Sequence, residues 1–291
     1  MTLDRADLDA TAAPPFAVRG PLRRYPLAAL GAVLLALVLL ITSLAPLLAT
    51  HDPQDIDPTA RLRAPSVAHV LGTDALGRDV WSRTLFGGRV SLMVGLVVGV
   101  LASAIGLAVG LITGYSRVAD ALLMRVMDGL MAIPAILLAI ALMAVTRASM
   151  LTVILAITAV EIPRVVRLVR SVVLTLRAET YVEAAIIVGT RPLGVLGRHI
   201  LPNSLAPLSV QATYICAAAM LVESILSFRG AGTPPEIPSW GNNMAEGRTY
   251  FQIAPWLILS PGLLLGLTVL AVNLIGDGLR GALDPRIAKG M

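Results

Sequence analysis

Glu183, Ala184 and Ala185 are followed by three apolar residues, then Gly189, then eleven more residues before Leu201-Pro202. This run is polar enough to sit in water, yet it lies between two long hydrophobic stretches. Thr180 and Glu183 have the spacing of a capping box, which predicts a helix start there, over about Tyr181 to Val188. Gly189 is suited to the left-handed conformation that stops a helix. A second helix is expected from Thr190, with Pro192 in its first turn, ending before Pro202. Such a pair makes a short, exposed lever that a partner protein can push. Glu183 is its charged contact, and Ala184 and Ala185 keep its surface small enough to enter a groove. An ordinary amphipathic linker is the competing reading.

Bond-making chemistry finds little support in the remaining residues. No Gly-x4-Gly-Lys-Ser/Thr run is present, so the chain is not expected to hydrolyse ATP. Neither a Gly-x-Ser-x-Gly nor a His-Glu-x-x-His pattern argues for a hydrolase. The histidines are His51, His69 and His199, and none is at ligand spacing from another His or from Cys216. No metal site and no disulfide are therefore expected. Several ionisable residues remain in or near the apolar spans. Arg125 is expected to pair with Asp128, and Glu161 with Arg164. Asp277 and Asp284 are expected to fix the C-terminal tail through Arg280 and Arg286. Glu223, about one turn from the end of an apolar span, could cap a helix, face a translocation path or attract an ammonium group.

The elements that position these residues follow from composition. The chain has 291 residues, 56% of them hydrophobic, with a mean hydropathy of +0.81. That exceeds ordinary soluble usage, and the excess has to face lipid or other helices. The net charge of +5 comes from arginines flanking apolar spans, which points to bilayer orientation rather than nucleic acid. Six spans approach the ~20 residues needed to cross the hydrocarbon. They are Leu27–Ala49, Val90–Thr113, Leu122–Val145, Met150–Val169, Leu205–Phe228 and Ile253–Ile275. The fourth is interrupted by Glu161, Arg164, Arg167 and Arg170, which can snorkel. Placing the N-terminus inside puts fifteen Arg and Lys residues on that side and eight on the other. Both termini are therefore expected in the cytoplasm.

The expected organisation is a cytoplasmic tail over 1–24, a first transmembrane helix over 25–50 and an extracytoplasmic segment over 51–89. A five-helix core over 90–277 follows, with the lever loop at 175–203, and then a cytoplasmic tail over 278–291. Within the outer segment, Asp79 to Ser91 reads as an amphipathic stretch lying flat in the interface. Arg229 to Gln252, rich in proline, should form a rigid outer cap. Gly95, Gly99, Gly106 and Gly110 fall within an arc of roughly 60° on a helix, a smooth stripe that lets a neighbour approach closely.

These residues carry a resemblance. The run from Glu183 to Pro202 resembles the Glu-Ala-Ala loop of ABC-importer permeases and meets each fixed position of that pattern. His69-Val70-Leu71-Gly72-Thr73-Asp74-Ala75-Leu76-Gly77-Arg78-Asp79, then Ser82-Arg83 and Gly88-Arg89-Val90-Ser91-Leu92, is similar to the signature before the second span of dipeptide and oligopeptide permease C subunits. Glu223 to Phe228 with Pro238-Ser239-Trp240-Gly241, and Gly276 to Arg280 with Leu283 to Arg286, look like two further segments of that class. The resemblance covers about residues 25–287. Arg229 and Ile162-Pro163 depart from the usual leucine and Trp-Pro.

The resemblance implies an all-α membrane protein with six transmembrane helices and a type I ABC-importer permease (MetI-like) fold. It implies a multi-pass subunit of the bacterial inner membrane, not an enzyme. The expected partners are a second homologous permease in a heterodimer, one or two ABC ATPases and an extracytoplasmic peptide-binding protein, within the lipid bilayer and without nucleic acid. No cofactor is expected on this chain, since ATP and Mg are used by the ATPases. The coupling residues carried over are Glu183, Ala184, Ala185, Gly189, His199, Leu201 and Pro202. The implied cargo is a di- or oligopeptide, with nickel or another small solute as the alternative. A secondary transporter would need charges deep in broken helices and an inverted repeat, and neither is evident.

Overall fold

The computed structural model describes residues 26–145 and 149–283. The N-terminal tail expected over 1–24, and residues 284–291 of the C-terminal one with Asp284 and Arg286, lie outside the described residues. Among the described residues the fold is helical, with a single isolated β-bridge, Thr73 to Asp79. In chain order the helices are α1 (Pro26–Ser43), α2 (Ala45–Leu48), α3 (Val80–Tyr115), α4 (Arg117–Ala132), α5 (Ala135–Val145) and α6 (Met150–Arg177). Then come α7 (Thr180–Ile187), α8 (Pro192–Val195), a wide turn over Leu196–Ile200, α9 (Leu201–Phe228), α10 (Trp240–Gly247) and α11 (Trp256–Leu283).

By length and composition, α1, α3, α11 and the continuous run Pro192–Phe228 can each cross a membrane, and α4 with α5 could form a fifth crossing. The third span expected over Leu122–Val145 is broken in two. α4 and α5 meet at a 95° bend. Pro134 explains it. The ring disfavours a helical residue before it, and Ile133 is extended at φ −94°, ψ 131°. α6 carries Glu161 and four arginines, and it is the least lipid-like of the long helices.

The flat amphipathic stretch expected over Asp79–Ser91 is also corrected. These residues begin α3, which runs unbroken for 36 residues. Asp79 caps that helix by accepting from the Ser82 amide at 2.8 Å. Val80, Ser82, Arg83, Thr84 and Leu85 are buried beneath the segment that precedes them and beneath α10. A helix whose first turns are mostly buried in this way has no reason to lie in an interface.

α3 is the central post, and its glycines serve two neighbours rather than one. Near the α10 end, a Cβ on Gly95 would sit 2.7 Å from Met220 Cγ, and one on Gly99 would overlap Cys216 Sγ, both on α9. Further along, a Cβ on Gly106 would overlap Val165, one on Gly110 would lie 2.6 Å from Val169 Cβ, and one on Gly114 2.5 Å from Val173 Cβ. Val165, Val169 and Val173 are buried at four-residue intervals on α6. A valine ridge therefore fills a glycine groove of the same pitch. α1 lies outside this core against α11 and leaves most of its leucines exposed.

Replacing Gly106 with alanine should lower the yield of folded protein, since overpacking costs about 1–3 kcal/mol. Combining it with Val165→Ala should recover much of the loss, while Leu107→Ala alone should do little. Monodispersity after detergent extraction measures all of these.

Candidate functional site

α7 hangs between α6 and the return helix, and three apolar anchors hold it there. Val182 on α7, Val195 on α8 and Ile200 in the wide turn are fully buried, in one cluster with Val173 and Leu176 of α6. The opposite face is open. Glu183 and Ala184 are exposed, and Ala185 is half-buried. Beyond them, Ile187 (84% exposed), Val188 (86%) and Leu193 (83%) form an apolar tip. The sequence reading missed these three. Their signal was apolar side chains in a stretch otherwise destined for water. Clustered apolar exposure of this kind is the form an interaction surface takes.

The end of α7 follows from Gly189, which adopts φ +89°. Its amide donates to the Ile186 carbonyl and the Thr190 amide donates to the Ala185 carbonyl, each at 3.0 Å. This is a Schellman stop, and it closes two orphan carbonyls. The start differs from expectation. Glu179, not Thr180, occupies the cap position, and no side-chain cap bond forms.

The return helix is corrected as well. It begins at Pro192, which needs no amide partner there. It does not stop before Pro202 but continues into α9 through a turn in which the Leu201 amide donates to the Leu196 carbonyl. That wider loop carries the chain past a proline that cannot donate. Asn203 and Ser204 side chains donate to the carbonyls of His199 and Ile200, at 2.6 and 2.9 Å. The His199 ring lies 6.1 Å from that of Tyr181, which ties the return helix to α7. Leu201 is half-buried and Pro202 exposed. A Cβ on Gly194 would approach the Thr190 methyl at 3.1 Å, and one on Gly197 would meet nothing. Nothing among the described residues explains glycine at Gly197.

Behind α7 opens a polar cleft of about 360 Å³, lined by Arg117, Asp120, Arg177 and Glu183 among others. Ion pairs brace its walls. Arg170 on α6 holds Asp120 on α4 at 2.7 Å, and Arg167 holds Asp128 at 2.6 Å. Asp128 is thus paired between helices and not with Arg125 as expected. Glu161 does pair with Arg164, at 3.1 Å. Arg177 donates to the carbonyls of Gly114 and Tyr115 at 3.2 and 3.0 Å, where the negative end of the α3 dipole favours a cation. Asp277 accepts from the Tyr214 hydroxyl, so it joins α11 to α9.

At the other end of α3, the charged residues of the signature pair among themselves. Arg78 contacts Asp74 at 2.7 Å and Glu246 at 2.6 Å, and Arg83 reaches Glu246 at 3.1 Å. Burial pushes the Glu246 carboxyl up, against the pull of Arg83 and Arg78. The cap expected over Arg229–Gln252 is fastened by α10. Trp240 is fully buried, and its indole donates to the Thr84 carbonyl at 3.0 Å. Asn242 closes the proline-rich turn by donating to the Pro234 and Ile237 carbonyls, both at 3.0 Å. Glu223 lies within this assembly, fully buried, accepting from Ser227 at 2.8 Å and from Ser91 at 3.4 Å. It shows no face to any open surface of the chain.

The histidines are brought together in a way their sequence spacing hides. His51 and His69 stack with centroids 4.6 Å apart, beside Asp79. Burial raises the Asp79 carboxyl, but bonds from Ser82, His69 and Thr50 outweigh it, and the net shift is downward.

Comparison with known proteins places this arrangement. The profile of the family described as binding-protein-dependent transport system inner membrane component matches residues 103–289. That described as the N-terminal transmembrane domain of oligopeptide transport permease C matches residues 18–65. A probable peptide ABC transporter permease protein of Sinorhizobium fredii is 54% identical over 264 residues, covering 91% of this chain and 90% of that protein. A probable D,D-dipeptide transport system permease protein of Escherichia coli is 43% identical, covering 91% and 89%. Among solved structures, an inward-facing methionine ABC transporter aligns with a TM-score of 0.55 at 23% identity, over 68% of this chain and 94% of that one.

Gly189→Val forces a branched side chain into a left-handed backbone, a strain of roughly 1–2 kcal/mol per residue. Amide exchange over residues 184–190 should quicken while exchange in α3 stays unchanged.

Proposed function

This chain belongs to the family of binding-protein-dependent transport system inner-membrane components, and from that premise we infer that it is the permease subunit through which an ABC importer takes up peptides. The two relatives described above are named as peptide and dipeptide permeases, which supports a di- or oligopeptide cargo. Six crossings with both termini in the cytoplasm follow if α4–α5 and α6 each count as one crossing, and the arginine bias favours that orientation. A second, homologous permease completes the path along its interface with this chain. One or two ATPases dock on the cytoplasmic side, and a peptide-binding protein delivers cargo from the other. A nickel or other small-solute importer shares the same architecture and is the second reading.

The observation that carries this reading is α7, a short helix with an exposed apolar tip, anchored through Val182, Val195 and Ile200 to the two long helices it joins. Glu183, Ala184 and Ala185 form its contact face, Gly189 ends it, and His199, Leu201 and Pro202 shape its return. Closure of the ATPases moves α7, and α6 and α9 follow. Gly95, Gly99, Gly106 and Gly110 let that movement reach α3. Glu223 secures the outer cap to α3 and α9 in this conformation and becomes a path residue only if that cap opens.

Glu183→Lys and, separately, Val188→Asp should abolish ATP-dependent dipeptide uptake in proteoliposomes while leaving the two permeases associated. Both positions are exposed, so neither change should unfold the chain. Loss of ATPase copurification should accompany the loss of uptake. Normal transport by both variants would remove the coupling role from α7.

A further inference from the structure

We propose that His51, His69 and Asp79 bind one divalent transition-metal ion of the zinc class at the start of α3. The three ligand atoms lie within 4.8 Å of one another. His69 Nδ1 is 3.0 Å from Asp79 Oδ1, and His51 Nδ1 is 3.9 Å from the same oxygen. Ligands about 2.0–2.2 Å from a tetrahedral ion are separated from each other by about 3.3–3.5 Å. The first pair therefore opens by a few tenths of an ångström, and His51 closes in by about half an ångström while its ring turns out of the stack with His69, so that both nitrogen lone pairs point at the ion. Its side chain is 41% exposed and is free to do so. The move releases the 3.1 Å contact between His51 Nδ1 and Thr50 Oγ1.

The carboxylate is already oriented for this role. Asp79 Oδ2 accepts from the Ser82 amide and hydroxyl, each at 2.8 Å, and from Thr50 at 3.1 Å. Those bonds leave Oδ1 as the oxygen facing both imidazoles. Outer bonds of this kind fix a ligating carboxylate and set its affinity. Coordination through Nδ1 requires the imidazole tautomer of His69 that carries its proton on Nε2, so that the Nδ1 lone pair points at the ion. Two imidazoles and one carboxylate suit zinc, copper, nickel or cobalt, whereas calcium and magnesium require more oxygen ligands. Exposure of His51 leaves the fourth position to water. The bound ion joins three pieces of chain, the turn after α2, the loop around residue 69 and the cap of α3. It staples the segment over 51–79 to the central post.

The test uses the whole transporter, purified without a histidine tag, stripped with a chelator and titrated with Co²⁺ as the optical probe and Zn²⁺ as competitor. The expected result is one Co²⁺ per chain with visible bands of a low-coordinate site, removed by Zn²⁺. His51→Ala should weaken binding at least about tenfold, since even outer-shell changes cost 10–100-fold. Asp55→Asn on the same segment should leave it intact. Zn²⁺ should also slow proteolysis within residues 51–79 of the parent protein and not of His51→Ala. Because His51 is exposed, its variant keeps the test sound even if His69→Ala fails to assemble. Absence of stoichiometric binding, or binding unchanged in His51→Ala, would overturn the site.

Discussion

Close approach of α3 to its neighbours is the constraint on which the rest of this structure rests. In a bilayer, lipid tails are as apolar as leucine, so helices gain nothing by hiding from water and must associate through packing and hydrogen bonds. Gly106, Gly110 and Gly114 meet that demand by leaving room for Val165, Val169 and Val173. Gly95 and Gly99 do the same for Met220 and Cys216. Each seam joins α3 to one of the two helices that carry the exposed lever. Any force on α7 is thus applied to helices already locked, side chain into groove, against the central post.

Charge closes both ends of that post, in different ways. At the α10 end, Asp74, Arg78, Arg83 and Glu246 are largely buried and compensate one another. Removing one would leave an uncompensated partner, which is the costly case for buried ions. At the α4 end, the Arg167 and Arg170 pairs are more exposed and individually weak. Their effect is to set how α4 sits against α6 rather than to hold the fold together. The firmer end carries the cap and Glu223, and the looser end carries the lever.

The sequence made the composition, the glycine stripe and the Gly189 stop legible, because each depends on a residue's own shape or polarity. It hid whatever depends on distant contact. Asp128 looked ready to pair with Arg125, three residues away, but Arg167 of another helix reaches it. His51 and His69 looked isolated until the loop folded them onto Asp79. The covered start of α3 read as amphipathic because polar residues such as Arg78 and Ser82 have partners that only the fold supplies. Two errors were local. Pro134 bends its span and Pro202 does not end its helix, and the difference lies in the turn before each. Ile133 goes extended, whereas residues 196–200 widen and carry the helix on.

The design of the lever follows from these contrasts. α7 is held by a small set of buried side chains and presents Ile187, Val188 and Leu193 to whatever lies beyond. An apolar tip cannot remain wet without cost, so a partner that covers it gains affinity from the outset. Covering the tip equally in every state of that partner would move nothing, since only differential contact shifts an equilibrium. The discriminating contact must then come from the neighbouring polar face, where Glu183 borders a cleft shared with Arg117 and Arg177. With a partner docked there, affinity and signal would be separated on one short helix, the apolar tip holding the partner while the charged face senses its state.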